Sequence, residues 1–201
     1  MNKTVLLVLL DKYADWEMAY ISTWLFALGK GKFDVKTVSL STSPIKSMGG
    51  LTVIPDFDVQ SASMNYAGLI LIGGQSWRTE EAKQVEILVQ HAIENNRIIG
   101  GICDASVFLG TIGVLNNVSH TSNLLEDLKG WAGEAYTGES RYVPQPAVRD
   151  GNIITANATA ALEFAKEVMF ALEVAPENDI NEVYNFYKLG GYEAHFPVCL
   201  M

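Results

Sequence analysis

Arg97-Ile98-Ile99-Gly100-Gly101-Ile102-Cys103-Asp104-Ala105-Ser106-Val107-Phe108-Leu109-Gly110 is a short apolar run that ends in small residues, meets one cysteine and passes into a helical pattern. That is the layout of a nucleophile elbow, Gly-x-nucleophile-x-small, on a sharp strand-to-helix turn. The turn calls for Gly101 and Ala105, because bulkier side chains would collide where strand and helix cross. It lifts the sulfur over the first turn of a helix, where free backbone N–H groups and the helix dipole favour an anion. A thiolate gains from the same field, so the Cys103 pKa is expected below the free-cysteine value of about 8.5. A buried structural cysteine is the ordinary alternative for so short a pattern.

Outward from the elbow, buried apolar runs alternate with helical periodicity. Val5 to Leu10 reads as a strand buried on both faces. Asp15 to Leu28 reads as a helix with Asp15 as N-cap and Ile21, Leu25 and Leu28 on one face. Phe33 to Leu40 is a second strand, and Ile45 to Ile54 a hairpin turning at Gly49-Gly50. Ala67 to Ile72 is a short strand that stops at Gly73-Gly74. Glu80 to Asn96 is the clearest helix, and Ala105 to Ile112 is the helix after the elbow. Tyr142 to Arg149 and Asn152 to Thr155 suggest a hairpin around Asp150-Gly151. Helices follow at Ala160 to Leu172 and Ile180 to Tyr187.

This order predicts an α/β fold: a three-layer α/β/α sandwich, flavodoxin-like, with a mostly parallel sheet covered on both faces. The expectation is a single domain over 1–201, with a C-terminal extension from about 176. In such sheets the ligand site lies at the carboxyl ends of the strands. Cys103, Gly73-Gly74 and the Asp11 to Glu17 region all follow strand ends and should converge.

Composition narrows the function. A formal net charge of −9, with only 14 Lys and Arg and no basic run, speaks against nucleic acid or an anionic membrane surface as partner. Val5 to Leu10, closed by Asp11 and Lys12, is too short for a signal-peptide core or a membrane span. Cys103 and Cys199 are the only cysteines, so no disulfide framework is implied and a reducing cytoplasm is the expected setting. No Gly-x-Gly-x-x-Gly follows a strand, and neither a Walker loop nor a zinc-ligand motif is present. No cofactor and no metal are expected, and the partner expected is a small-molecule substrate.

Four segments together resemble the ThiJ/PfpI family, within the class I glutamine amidotransferase-like superfamily. They are Ala14-Asp15-Trp16-Glu17, Leu71-Ile72-Gly73-Gly74, Gly101-Ile102-Cys103-Asp104-Ala105, and Asp150-Gly151-Asn152-Ile153-Ile154-Thr155-Ala156 with the Ala161-Leu162-Glu163-Phe164-Ala165 that follows. They stand in the family's order, and the resemblance spans about Lys3 to Leu172.

The resemblance implies roles. Cys103 would be the nucleophile, and Glu17 would point its carboxyl group at the sulfur. On its own, Glu17 reads as a first-turn glutamate favoured by the helix dipole. The N–H groups of Gly74 and Asp104 would form an oxyanion hole; Gly74 alone reads as a turn residue. Gly73, Asp15, Trp16, Gln75 and Trp77 would line or rim the pocket, although the tryptophans equally suit packing. In protease-like members a histidine follows the cysteine, and here Asp104 stands there. That departure argues against a protease of that type. His120, in Val118-Ser119-His120-Thr121, resembles a histidine near the cysteine in the stress-protein branch; a strand-end histidine bonded to backbone is the alternative. The expected function is a cysteine-dependent hydrolase, an amidase or glutamine amidotransferase-like enzyme acting on a small carbonyl substrate. The other readings are a glyoxalase- or deglycase-type or redox-responsive stress protein using the same cysteine, and a binding module that keeps the fold without the base. Pairing in the family implies a homodimer.

Overall fold

The computed structural model describes residues 2–200. A seven-stranded sheet forms its centre. Its strands in chain order are β1 (Lys3–Val8), β2 (Phe33–Ser39), β5 (Phe57–Asp58), β6 (Gly68–Leu71), β7 (Ile98–Ile102), β8 (Ala147–Asp150) and β9 (Ile153–Ala156). A separate hairpin, β3 (Ile45–Lys46) with β4 (Thr52–Val53), lies between β2 and β5 in the chain. The sheet order is β5-β2-β1-β6-β7-β9-β8, and every pairing is parallel except β8 with β9. The helices are α1 (Asp15–Gly29), α2 (Glu86–Glu94), α3 (Asp104–Thr111), α4 (Leu125–Ala132), α5 (Ala161–Ala171) and α6 (Glu177–Leu189).

Alternation along the strands divides the core in two. Val5 and Leu7 of β1, with Ile70 and Ile98, pack under Trp24 and Leu25 of α1, Phe164 and Val168 of α5, and Ile180 and Val183 of α6. Leu6 and Val8 point the other way, with Leu69 and Ile99, toward Leu88 and Val89 of α2, Phe108 and Leu109 of α3, and Leu128 of α4. A strand stretch with both faces covered is apolar at successive positions, as in Val5 to Val8 of β1, in β6 and in β7. The result is the three-layer α/β/α arrangement. No helix among the described residues is long and apolar enough to cross a membrane.

The structure differs from the sequence expectation at four points. The segment expected as one helix from Glu80 is a 3₁₀ turn over Glu80–Val85 before α2 begins at Glu86. Its buried residues, Ala82 and Val85, are three apart and so share a face at three residues per turn. The strand expected from Tyr142 is short, because Pro144 and Pro146 have no N–H to give a ladder, and pairing begins only at Ala147. His120 enters no strand and makes a single bridge to Tyr142. At α1, Ala14 holds the N-cap position, and the Asp15 side chain turns instead to accept the Gly49 N–H at 2.8 Å.

Candidate active site

The parallel register brings three strand ends together. Val8 of β1 pairs with Leu71 of β6, and Leu71 with Gly101 of β7. Two residues beyond that last pair, Gly73 lies against Cys103. The chain leaving β1 turns into α1 and brings Glu17 to the same point.

Cys103 is the elbow. Its backbone is at φ 57°, ψ −131°, a conformation that costs an L-residue about 1–3 kcal/mol. It is held from both sides. Its N–H donates to the Ala156 carbonyl at 2.9 Å; its own carbonyl accepts the Ser106 N–H at 3.0 Å and the Ser106 hydroxyl at 2.6 Å. Ser106 Oγ is in turn 2.8 Å from Ser122 Oγ. Gly101 sits close under α3: a Cβ there would come within 2.6 Å of Leu109 Cδ1, and that side chain would have to shift.

Glu17 is fully buried. Its Oε2 accepts the Gly73 N–H at 2.8 Å. Its carboxyl interacts with the Cys103 side chain, although Oε1 has no partner of good hydrogen-bond geometry. Burial pushes the Glu17 pKa up to about 7, against the pull of the Gly73 N–H and the thiol, and the Asp104 charge adds to the rise. Burial and the Glu17 charge push the Cys103 thiol up to about 12, opposed by hydrogen bonds from the Asn123 side chain and the Asp104 N–H. The lowered thiol pKa expected from the elbow alone is therefore corrected. The helix-terminus donor is present, but the sulfur is buried beside a carboxyl group that holds the first negative charge. The two groups titrate as a pair that carries one charge above about pH 7 and resists a second.

Gly73 cannot carry a side chain, since a Cβ would meet Cys103 Cβ at 2.6 Å and the Ile102 carbonyl at 2.7 Å. Gly74 is pressed on the other strand end, where a Cβ would lie 2.6 Å from Tyr13 Cα. The bridge between Tyr13 and Gly74 is closed by the N–H groups of Ala14 and Gln75, which donate to Gly73 and Lys12. The Gly74 N–H itself has no partner among the described residues. The Asp104 N–H opens α3 and bonds toward the sulfur.

The other expected residues separate. Trp16 is about half exposed and donates Nε1–H to the Ala158 carbonyl at 3.1 Å, on the cysteine side. Asp15 faces the β3–β4 hairpin through Gly49. Gln75 is exposed and lines a recess of about 370 Å³ with Lys12, Lys46 and Met48. Trp77 is no pocket residue: it is buried, donates to the Ile72 carbonyl at 2.6 Å and packs on Phe108. His120 is also corrected. It is fully buried, with Nδ1 2.8 Å from the Val118 carbonyl and Nε2 2.7 Å from the Tyr136 hydroxyl, so both ring nitrogens are engaged away from the sulfur. Burial lowers its pKa, with the Val118 carbonyl opposing.

Sequence reading missed two partners. Arg78 bonds Asp104 through Nε at 3.0 Å and Nη2 at 2.8 Å, and Asp127 through Nη1 at 3.0 Å and Nη2 at 2.6 Å. Asp104 is thus an ion-paired residue that shares Arg78 with Asp127, and its charge still raises both Glu17 and the Cys103 thiol. Asn123 donates Nδ2–H to Cys103 Sγ at 3.3 Å. Neither residue belongs to a local motif: Arg78 ends a 3₁₀ turn over Gln75–Arg78, and Asn123 lies in the segment before α4.

Comparisons with known proteins agree with the fold. A model of the DJ-1/PfpI family matches residues 3–171. The chain is 34% identical over 194 residues to the "Uncharacterized protease YdeA" of Bacillus subtilis (strain 168), covering 96% of this chain and 94% of that protein. The crystal structure of the thiJ/pfpI family protein from Bacillus anthracis is similar at a TM-score of 0.86 and 31% identity, over 94% of this chain and 91% of that one. The DJ-1 superfamily protein Atu0886 from Agrobacterium tumefaciens is similar at 0.80 and 32%, over 92% and 99%.

Proposed function

The chain belongs to the DJ-1/PfpI family, and we propose that it is a cysteine-dependent enzyme for small carbonyl compounds, with Cys103 as nucleophile and Glu17 as the group that moves its proton. The observation that carries this reading is the buried Glu17 carboxyl beside Cys103, poised near pH 7 while the thiol stays high. A base with that pKa is suited to proton transfer at neutral pH. In the first step Glu17 carboxylate takes the S–H proton as sulfur attacks the carbonyl carbon. A C–S bond forms and the π electron pair moves to oxygen. That oxygen receives the free Gly74 N–H and the Asp104 N–H. Glu17 then returns its proton to the alkoxide, and the adduct is a neutral hemithioacetal when the substrate is an aldehyde.

This sequence favours aldehydes and 2-oxoaldehydes over peptides. Aldehyde addition expels no leaving group, whereas amide cleavage needs an acid at the departing nitrogen. His120 is not available to serve there, being committed to Val118 and Tyr136, and the one proton that Glu17 takes from the thiol goes back to the alkoxide. The family relationship and the name of the relative support a general hydrolase-like or DJ-1-type activity; the aldehyde preference rests on the Glu17–Cys103 pair. The test is incubation with methylglyoxal, and separately with glutamine and a casein digest, for the wild type and Cys103→Ser. Loss of aldehyde that requires Cys103 is expected. Amide hydrolysis that requires Cys103, without aldehyde turnover, would overturn the preference, and activity unaffected by Cys103→Ser would overturn the reading.

A further inference from the structure

Asn123 is placed by more contacts than an idle loop residue needs. Its Oδ1 accepts the Ala158 N–H at 2.8 Å. A backbone N–H can only donate, so the amide oxygen must face Ala158, and Nδ2 must face the sulfur. Ala158 is pinned from the other side, where its carbonyl accepts the Trp16 indole. The two residues before Asn123 are fixed as well. Thr121 donates its N–H to Thr155 Oγ1 at 2.8 Å, and the Ser122 hydroxyl meets Ser106 beneath the elbow. The Nδ2–Sγ contact therefore joins two elements that are each held independently.

The groups facing the sulfur are of unlike kinds. From α1 comes Glu17, which brings a like charge once ionised. From α3 come the Asp104 N–H and, behind it, the Asp104 carboxylate tied to Arg78. From the loop before α4 comes a neutral amide N–H with no charge to oppose. We infer that Asn123 is the side chain that stabilises the negative charge appearing on the Cys103 sulfur as its proton leaves, a role that rests on Cys103 being the nucleophile. The bond tightens as charge builds on sulfur, because a hydrogen bond to an ionised acceptor is roughly twice as strong as a neutral one. It thus acts more on the transition state than on the resting thiol. It also aims the sulfur, since an amide locked at both ends fixes the direction from which charge is received.

Asn123→Asp separates this role from a structural one. The aspartate keeps an oxygen for the Ala158 N–H but puts a second oxygen where sulfur met a donor. Asn123→Ala loses both contacts. The readouts are the rate at which iodoacetamide labels Cys103 at pH 8, followed by mass spectrometry, and hydrogen exchange of the segment around Ala158. Asn123→Asp is expected to keep that segment protected while labelling of Cys103 slows at least about 10-fold, the loss of one charge-assisted bond. Asn123→Ala is expected to slow labelling comparably and to lose protection at Ala158. Labelling of either folded variant at the wild-type rate would overturn the role. A wild-type Cys103 that itself resists labelling would overturn the nucleophile reading, and this role with it.

Discussion

Replacing Glu17 by Gln should stabilise the protein at pH 8, although it removes a residue from the candidate active site. The Glu17 pKa rises from 4.5 to about 7 on folding, because a buried carboxylate beside Cys103 is deprived of water. Between those two pH values the folded chain holds a proton that the unfolded chain has released. Stability therefore falls as pH rises through that window, is unaffected below it, and stays at the lower value above about 7. At about 1.4 kcal/mol per unit, the ionised Glu17 costs about 3 kcal/mol at pH 8. Glutamine has the same shape, can accept the Gly73 N–H, and can donate toward the sulfur in place of the proton. In a chain of this size the gain corresponds to a rise in Tm of about 6–12 °C. The assay is thermal unfolding by circular dichroism at pH 4.5, 6 and 8 for wild type and Glu17→Gln. The difference should open between pH 4.5 and 8. Equal Tm values at pH 8, or a less stable Gln variant there, would refute the burial argument.

Arg78→Met should destabilise the protein by about 2–3 kcal/mol, less than a fully buried pair would cost, because the three side chains are 17–31% exposed. Asp104→Asn in that background should recover part of the loss, and a double-mutant cycle in urea measures it. His120→Ala should cost about 2–4 kcal/mol through the lost hydrogen bonds and the cavity, yet leave Cys103 labelling unchanged. Because folding lowers the His120 pKa, wild-type stability should decline as pH falls below the unfolded value of 6.5. That component of the decline should be absent from the variant.

The fold was legible because its signals are local and repeated. The short apolar runs of β1, β6 and β7, each followed by a turn and set between helical patterns, fit strands covered on both faces. The elbow was legible because its geometry tolerates so few residues at Gly101 and Ala105. Gly73, Gly74 and the Asp11 to Glu17 region could be brought together because strand ends in a parallel sheet must meet, whereas Glu17 itself was singled out only by the family resemblance. What could not be read were partnerships between distant loops. Nothing in the sequence ties Arg78 to Asp104 or Asn123 to Cys103; those contacts exist only once the α/β layers bring the loops together. The same limit misplaced His120 and Trp77, whose side chains are polar enough to suit a site but find backbone and hydroxyl partners inside the core. The Cys103 pKa was misjudged because a sequence shows the helix start that favours an anion and hides the burial that opposes it.

The proposed sharing of one proton between Cys103 and Glu17 would show itself in the pH profile of Cys103 alkylation. In the wild type, labelling of Cys103 should rise with an apparent pKa near 7, as Glu17 becomes able to take the thiol proton. In Glu17→Gln that limb should vanish, labelling at pH 7.5 should drop at least about 10-fold, and the remaining rise should move to alkaline pH as the thiol ionises unaided. Superimposable profiles for the two proteins would show that Glu17 takes no proton from Cys103.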